Sequence, residues 1–433
     1  MMKHRQAIRP AILALVLALG ALRSAGAQPD TSTRIFHPLA RTLTVTVADD
    51  LMRPAVLTPA DADRLTFSFD IIGDDRRYLR CRLLHCDADW RPSRLVESEY
   101  VDGFNEAEIG NYAFSSNTYV HYVNYRFTIA DDGLRPLVSG NYLWQVYDES
   151  DPDDILLQAR FRVAEQSVGI GGYADGRTSR GVNTGFQQLR LEVNVANAGV
   201  PNPYTDLIVE VTRNDRPDTR RLIMHPQRVE GTKVVYDYDP ALIFAAGNEY
   251  RRFETVRVNY EGMHIAEAGF DGRMHYALVA TDSERASHPY IYDSTQRGRY
   301  KIDEYNATDP DLGADYVLTA FTLDYPEIMD GDVYVEGDLA LRGYTDLNRM
   351  KYDHDSGAYT LTLPLKQGSY NYQYAVLPKE GGSAGLAAPA ADDALIEGNH
   401  YETVNEYNVY VYQRTPGARY DRLLGAATIV SGR

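Results

Sequence analysis

Five side chains within residues 85–99, His85, Asp87, Asp89, Glu97 and Glu99, form the densest set of groups that could move protons. A paired-carboxylate hydrolase needs two such acids whose surroundings push their pKa values apart inside a pocket. The competing use gives Asp87 and Asp89 backbone amides to cap in a turn and packs Trp90 into a core, and this structural use is the expectation. A second acidic run, Asp148-Glu-Ser-Asp-Pro-Asp-Asp154, could offer calcium several oxygens. It lacks the alternate spacing and central glycine of a calcium loop, and Asp151-Pro152 starts a turn, so a solvated hairpin tip is expected. The chain is read as lacking a nucleophile elbow, an H-E-x-x-H pair, a phosphate loop and a dinucleotide fingerprint. No catalytic residue, cofactor or metal ligand is therefore expected.

The two cysteines, Cys81 and Cys86, both fall in Tyr78-Leu-Arg-Cys-Arg-Leu-Leu-His-Cys86. On one strand their odd separation places them on opposite faces and about 16 Å apart, beyond the ~7 Å that a disulfide spans. Buried free thiols follow.

The elements that carry these groups are strands. In Leu189-Arg-Leu-Glu-Val-Asn-Val195 apolar and polar residues alternate, which fits a half-buried strand. Leu65–Ile71, Leu207–Val211, Asp315–Leu323, Ala358–Leu365, Tyr370–Val376 and Glu406–Gln413 repeat the pattern between Gly, Asn, Asp and Pro clusters. This predicts an all-β fold of tandem antiparallel β-sandwiches of the immunoglobulin-like or early-set type, each sheet with one wet face. One short helix is expected: Asp239 as N-cap, Pro240 in the first turn, Ala241–Ala246, and Gly247 as the stop. Val168–Gly176 and Asn306–Gly313 read as connections, which divides the chain into residues 28–166, 167–312 and 313–433. Tyrosine, 33 residues against 12 Phe and 2 Trp, suits sheets with large half-wet contact faces.

Residues 1–27 join Lys3, Arg5 and Arg9 to an apolar run, Ala11–Leu22, and a small-residue end, which reads as an export signal cleaved after Ala27. Removing its four basic and no acidic residues takes the net charge from −17 to −21. Such acidity repels phosphate backbones and anionic bilayers, so neither nucleic acid nor direct membrane insertion is expected. It favours a soluble monomer.

Seven segments together resemble one family: His85-Cys-Asp-Ala-Asp-Trp90, Glu97-Ser-Glu-Tyr-Val-Asp-Gly-Phe104, Ser139-Gly-Asn-Tyr142, Gly247-Asn-Glu-Tyr-Arg-Arg-Phe253, Lys366-Gln-Gly-Ser-Tyr-Asn-Tyr372, Ile396-Glu-Gly-Asn-His-Tyr-Glu-Thr403 and Gly417-Ala-Arg-Tyr-Asp-Arg422. Their order and spacing are similar to those of the type IX secretion system plug family of Bacteroidetes-type bacteria. The resemblance implies a non-catalytic periplasmic protein, attached to the outer membrane through its partner. That partner is the translocon β-barrel, whose periplasmic mouth the plug closes. Residues 333–378 also resemble early-set immunoglobulin-like domains that bind glycogen or starch. An exported carbohydrate-binding protein is therefore the alternative, weakened because Trp90 and Trp144 lie elsewhere. Tyr370, Tyr372 and Tyr374 share one strand face, which is expected to pack a core.

The barrel-binding residues are expected in the C-terminal segment Glu402–Leu424, among Tyr407, Tyr410, Tyr412, Arg419, Tyr420 and Arg422. Tyr and Arg are the types enriched at interface hot spots. The competing use pairs Arg419 and Arg422 with carboxylates of the protein itself.

Overall fold

The structure is a computed structural model that describes residues 30–58, 64–379 and 391–432. The expected export signal lies outside them. Residues Thr33–Arg433 form one compact unit, and strands dominate it.

Three sandwiches build this unit, each around its own apolar core. In the first, the sheet Ala40–Val47, Leu65–Ile72, Tyr122–Thr128 and Asn111–Phe114 faces a sheet centred on Gly140–Asp148, Asp151–Val163 and Leu79–Cys86. Phe67, Phe69, Phe127, Trp144 and Phe161 fill the space between them, with Phe67 stacked 4.2 Å from Trp144. Alternation does the sorting here: Cys81 points into this core, while Cys86 lies against Trp90 and Leu143 on the other face. Both cysteines are free and buried. Asp148 pairs with Asp151 across an exposed hairpin tip.

The second sandwich shows what local pattern cannot reveal. One of its sheets joins Gly169–Asp175, Phe186–Asn194, Lys233–Tyr236 and Arg228–Glu230. The other is Arg221–Ile223, Leu207–Arg213, Glu406–Gln413 and Arg422–Val430, with Leu207 opposite Gln413 and Arg213 opposite Tyr407. The C-terminal strands thus return across more than the third sandwich to complete the second. The third is built from strands between Arg251 and Pro378, among them Tyr316–Asp324 beside Ala358–Lys366 and Gly331–Glu336 beside Gly368–Pro378. Its core holds Phe253, Phe321 and the fully covered Tyr370, Tyr372 and Tyr374. The cut expected at 312/313 therefore does not separate the sheets: strands of the third sandwich begin before it, and strands of the second lie after it.

Three further expectations change. The glycine-rich Val168–Gly176 is no linker, because Gly169–Asp175 pairs along its length with Gln188–Asn194. A Cβ on Gly172 would sit 2.3 Å from the Arg190 carbonyl, so the glycine permits the close approach that an apolar pattern would otherwise signal. The helix after Asp239 stops at one 3₁₀ turn, Pro240–Leu242, capped by the Asp239 carboxylate; Ile243–Ala245 then pairs as a strand with Phe186–Gln188. Nor do the sheets all keep a wet face. Every residue of Leu207–Arg213 and of Glu406–Gln413 is buried, because the polar alternates of these strands face another sandwich.

Candidate functional site

The strand Glu406–Gln413 is buried along its whole length, so its polar residues meet the rest of the protein rather than solvent. Tyr407 and Tyr412 are wholly covered and Tyr410 is 2% exposed. The Tyr407 hydroxyl donates to Gln187 Oε1 at 2.7 Å within the second sandwich. Tyr410 and Tyr412 flank Arg162 of the first sandwich: the guanidinium lies 3.7 Å from the Tyr410 ring centre, and its Nε donates to the Tyr412 hydroxyl at 3.1 Å. These three tyrosines cannot contact a barrel. Their expected role is corrected by burial alone.

Arg419 stays exposed and Tyr420 and Arg422 are half-buried, yet all three have partners within the protein itself. Arg419 donates to Glu99 Oε1 at 2.5 Å and to the Arg94 carbonyl at 2.6 Å. Arg422 forks onto Glu165 at 3.0 and 2.7 Å, and Tyr420 packs edge-on against His85 at 5.4 Å. The structure thus brings all five candidate catalytic side chains into structural bonds. His85 Nδ1 lies 2.8 Å from Ser93 Oγ and Nε2 3.2 Å from the Ser139 carbonyl, while burial lowers its pKa to about 4. Asp87 accepts the Asp421 amide at 3.0 Å, Asp89 accepts the Arg91 amide at 3.2 Å, and Glu99 caps Val96 at 2.8 Å. Glu97 Oε1 accepts the Asn105 side-chain amide at 3.2 Å. Trp90 is buried, with the Arg160 guanidinium 4.1 Å from its ring centre.

What the arrangement does is lock. Between the first and second sandwiches, Glu210, with no exposed side chain, is held by Arg162 at 2.5 Å and Arg220 at 2.9 Å. Between the second and third, Asp393 Oδ2 is bound by both Arg213 and Arg216, and Glu406 by Arg297 at 2.7 Å and Arg299 at 3.0 Å. Burial alone would raise the Asp393 carboxyl; the two guanidiniums overcome it and hold the group at about 2. Between the first and third, Asp70 and Lys366, both within 1% of full burial, pair at 2.6 Å, and the Tyr316 hydroxyl donates to the same oxygen at 2.7 Å. Burial is the larger influence on Asp70 and leaves its pKa raised despite Lys366. Replacing such pairs by apolar groups can be neutral, but removing one partner typically costs about 3–5 kcal/mol. Their contribution is a fixed mutual orientation.

Sequence reasoning missed Glu210, Asp393, Asp70 and Lys366. The available signal was a charged residue inside an otherwise apolar strand, as in Leu207-Ile-Val-Glu-Val211. Gly381-Gly-Ser-Ala-Gly385 does carry the G-x-S-x-G spacing of a nucleophile elbow, contrary to the reading above. It stands in a Gly- and Ala-rich run and lies outside the described residues. Among those residues, no group of three or more His, Cys, Asp and Glu could hold a metal, and no helix is long and apolar enough to cross a membrane.

Comparison with known proteins places this architecture. No curated protein matches the chain. A solved structure of a hypothetical protein from Parabacteroides merdae ATCC 43184 is similar at 35% identity and a TM-score of 0.90, over 93% of this chain and 100% of that one. Residues 40–165, nearly the whole first sandwich, match the type 9 secretion system plug protein 1st domain. With residues 40–165 matched directly, the chain carries the first domain of the type 9 secretion system plug protein family.

Proposed function

We propose that the protein is a non-catalytic periplasmic plug that binds the outer-membrane translocon barrel and closes its periplasmic mouth. The observation that carries this reading, beside the family match, is the pairwise locking of three sandwiches by buried charged groups. A barrel wide enough for folded cargo leaks solutes unless one mouth is closed by a body that holds its shape. Three sandwiches linked only by short loops would flex, whereas each pair here shares charges whose separation costs several kcal/mol. The export signal and the acidity of the mature chain suit a soluble periplasmic body, and its polar surface needs no membrane segment of its own.

The carbohydrate-binding alternative loses its platform. Tyr370, Tyr372 and Tyr374, the aromatic run of the early-set-like region, have at most 2% exposure and cannot stack on a sugar.

With the C-terminal tyrosines inside, docking falls to exposed apolar side chains on ordered segments. Ile291 and Tyr292 are 78% and 65% exposed in a stretch between Ser283 and Tyr300 that has neither helix nor strand. The stretch is pinned on both sides. The Tyr290 hydroxyl donates to Glu249 at 2.7 Å, and Asp293 receives the Arg252 fork at 2.9 and 2.8 Å. An aromatic held in place before binding loses little entropy on contact, which is the character of a hot spot. Affinity-tagged protein isolated from native outer membranes is expected to retain a large β-barrel, and Ile291→Asp with Tyr292→Ala to lose it at an unchanged melting temperature. Recovery without any barrel, or retention on polysaccharide resin instead, overturns the reading.

A further inference from the structure

Where the first and third sandwiches meet, the loop after Asn111–Phe114 and the segment before Tyr316–Asp324 enclose an open cleft of about 510 Å³. Its wall carries three carboxylates, Glu304, Asp309 and Asp315, and neither a lysine nor an arginine. Asp315 is used internally, accepting the amides of Tyr119 at 2.7 Å, Val120 at 3.0 Å and Tyr316 at 2.8 Å. The other two are half spent. Glu304 Oε2 accepts the Asn306 amide at 2.7 Å, and Asp309 Oδ1 accepts the Asp311 amide at 3.1 Å with Arg126 at 3.5 Å. Glu304 Oε1 and Asp309 Oδ2 have no partner among the described residues.

Two further features lie beside these oxygens. Tyr119 and Phe270, 62% and 40% exposed, sit 4.5 Å apart as an aromatic wall. Both pack on His275, at 5.3 and 5.0 Å, which also lines the cleft. His275 is only 6% exposed, and its Nδ1 is buried without a hydrogen-bond partner. A native fold rarely leaves such an atom unmatched, and a ligand is one ordinary reason for it.

We infer that the cleft receives an arginine side chain from an extended segment of a partner protein. A guanidinium is flat enough to lie on Tyr119 and has five N–H donors, enough for both open carboxylate oxygens and the imidazole. A lysine ammonium supplies charge but no plane. The volume exceeds what one guanidinium needs and leaves room for the flanking residues of a peptide, as a free polyamine would not require. The acidic surface of the whole molecule draws a basic segment toward it. None of this depends on the plug assignment.

The test is calorimetric titration of the purified protein with acetyl-Gly-Arg-Gly-amide, acetyl-Gly-Lys-Gly-amide and spermidine at low salt. The expected result is saturable binding of the arginine peptide, at least fivefold tighter than the lysine peptide and than spermidine. Glu304→Gln with Asp309→Asn, which keeps the capping oxygens, should weaken it at least tenfold. Tyr119→Leu, which leaves the backbone amide bonded to Asp315, should weaken it severalfold with the carboxylates intact. No saturable binding of the arginine peptide, equal or tighter binding of spermidine, or unchanged affinity in a folded double variant would each overturn the assignment.

Discussion

At Glu210 a carboxylate without exposed surface sits between two guanidiniums, one from the first sandwich and one from its own. Glu210→Ala leaves Arg162 buried with only the Tyr412 hydroxyl and two aromatic faces to receive it. A loss of about 3–5 kcal/mol is expected, read as a lowered urea midpoint. A loss below 1 kcal/mol would mean that the pair is not what orients these sandwiches. His85 makes the same junction sensitive to pH. Its folded pKa, about 4, lies below the 6.5 of the free side chain, so the unfolded chain takes up the proton first as pH falls. Its contribution is full above pH 6.5, declines between 6.5 and about 4, and is gone below that. The size is about 3 kcal/mol by the 1.36 kcal/mol per pKa unit relation. Stability against urea measured from pH 7.5 to 4 should fall with acid in the wild type and fall less in His85→Gln; equal slopes would remove His85 from the account. The residue types at this junction were legible, and their destination was not. Tyr410, Tyr412, Arg419 and Arg422 do form an interface, but hot-spot composition is the same whether the partner is another protein or another sandwich of one chain. Nothing in a linear pattern distinguishes the two.

Strands were the most legible elements because the period of two is a local property. Glu406–Gln413 has the expected bounds, Leu65–Ile72 and Ala358–Lys366 run one residue further at the C-terminal end, and Tyr316–Asp324 is shifted by one residue at both ends. Pairing is not local. Glu406–Gln413 lies beside Leu207–Arg213, and no alternation in either strand announces a partner almost two hundred residues away. The glycine-rich strand Gly169–Asp175 escaped for a different reason: its ladder bonds come from the backbone, which glycine supplies without any side-chain signal. The crossing has an experimental consequence. Residues 167–433 should express as a folded, protease-resistant unit, whereas 167–312 lacks the two strands that close its second sheet and 313–433 lacks strands of its own sandwich. Each of these shorter pieces should be insoluble or digested under limited proteolysis. A soluble, resistant 167–312 fragment would contradict the pairing of Leu207–Arg213 with the C-terminal strands.

The whole molecule has the construction of an obstacle. Three sandwiches meet pairwise, every junction carries buried charge, and the candidate catalytic acids are bound to backbone or arginine partners for the most part. In the proposed plug role, rigidity of this kind suits a body that fills an opening and is withdrawn intact, and the acidity of the chain, net −17, favours the solubility of the withdrawn form. The most direct test is the entry rate of a fluorescent dextran, too large for ordinary porins, into the periplasm of cells that lack this protein and keep the translocon barrel. Closure of the barrel by this protein requires fast entry in these cells, returned to the wild-type rate by supplying the protein or by deleting the barrel as well. Entry at the wild-type rate in cells lacking only this protein would contradict it.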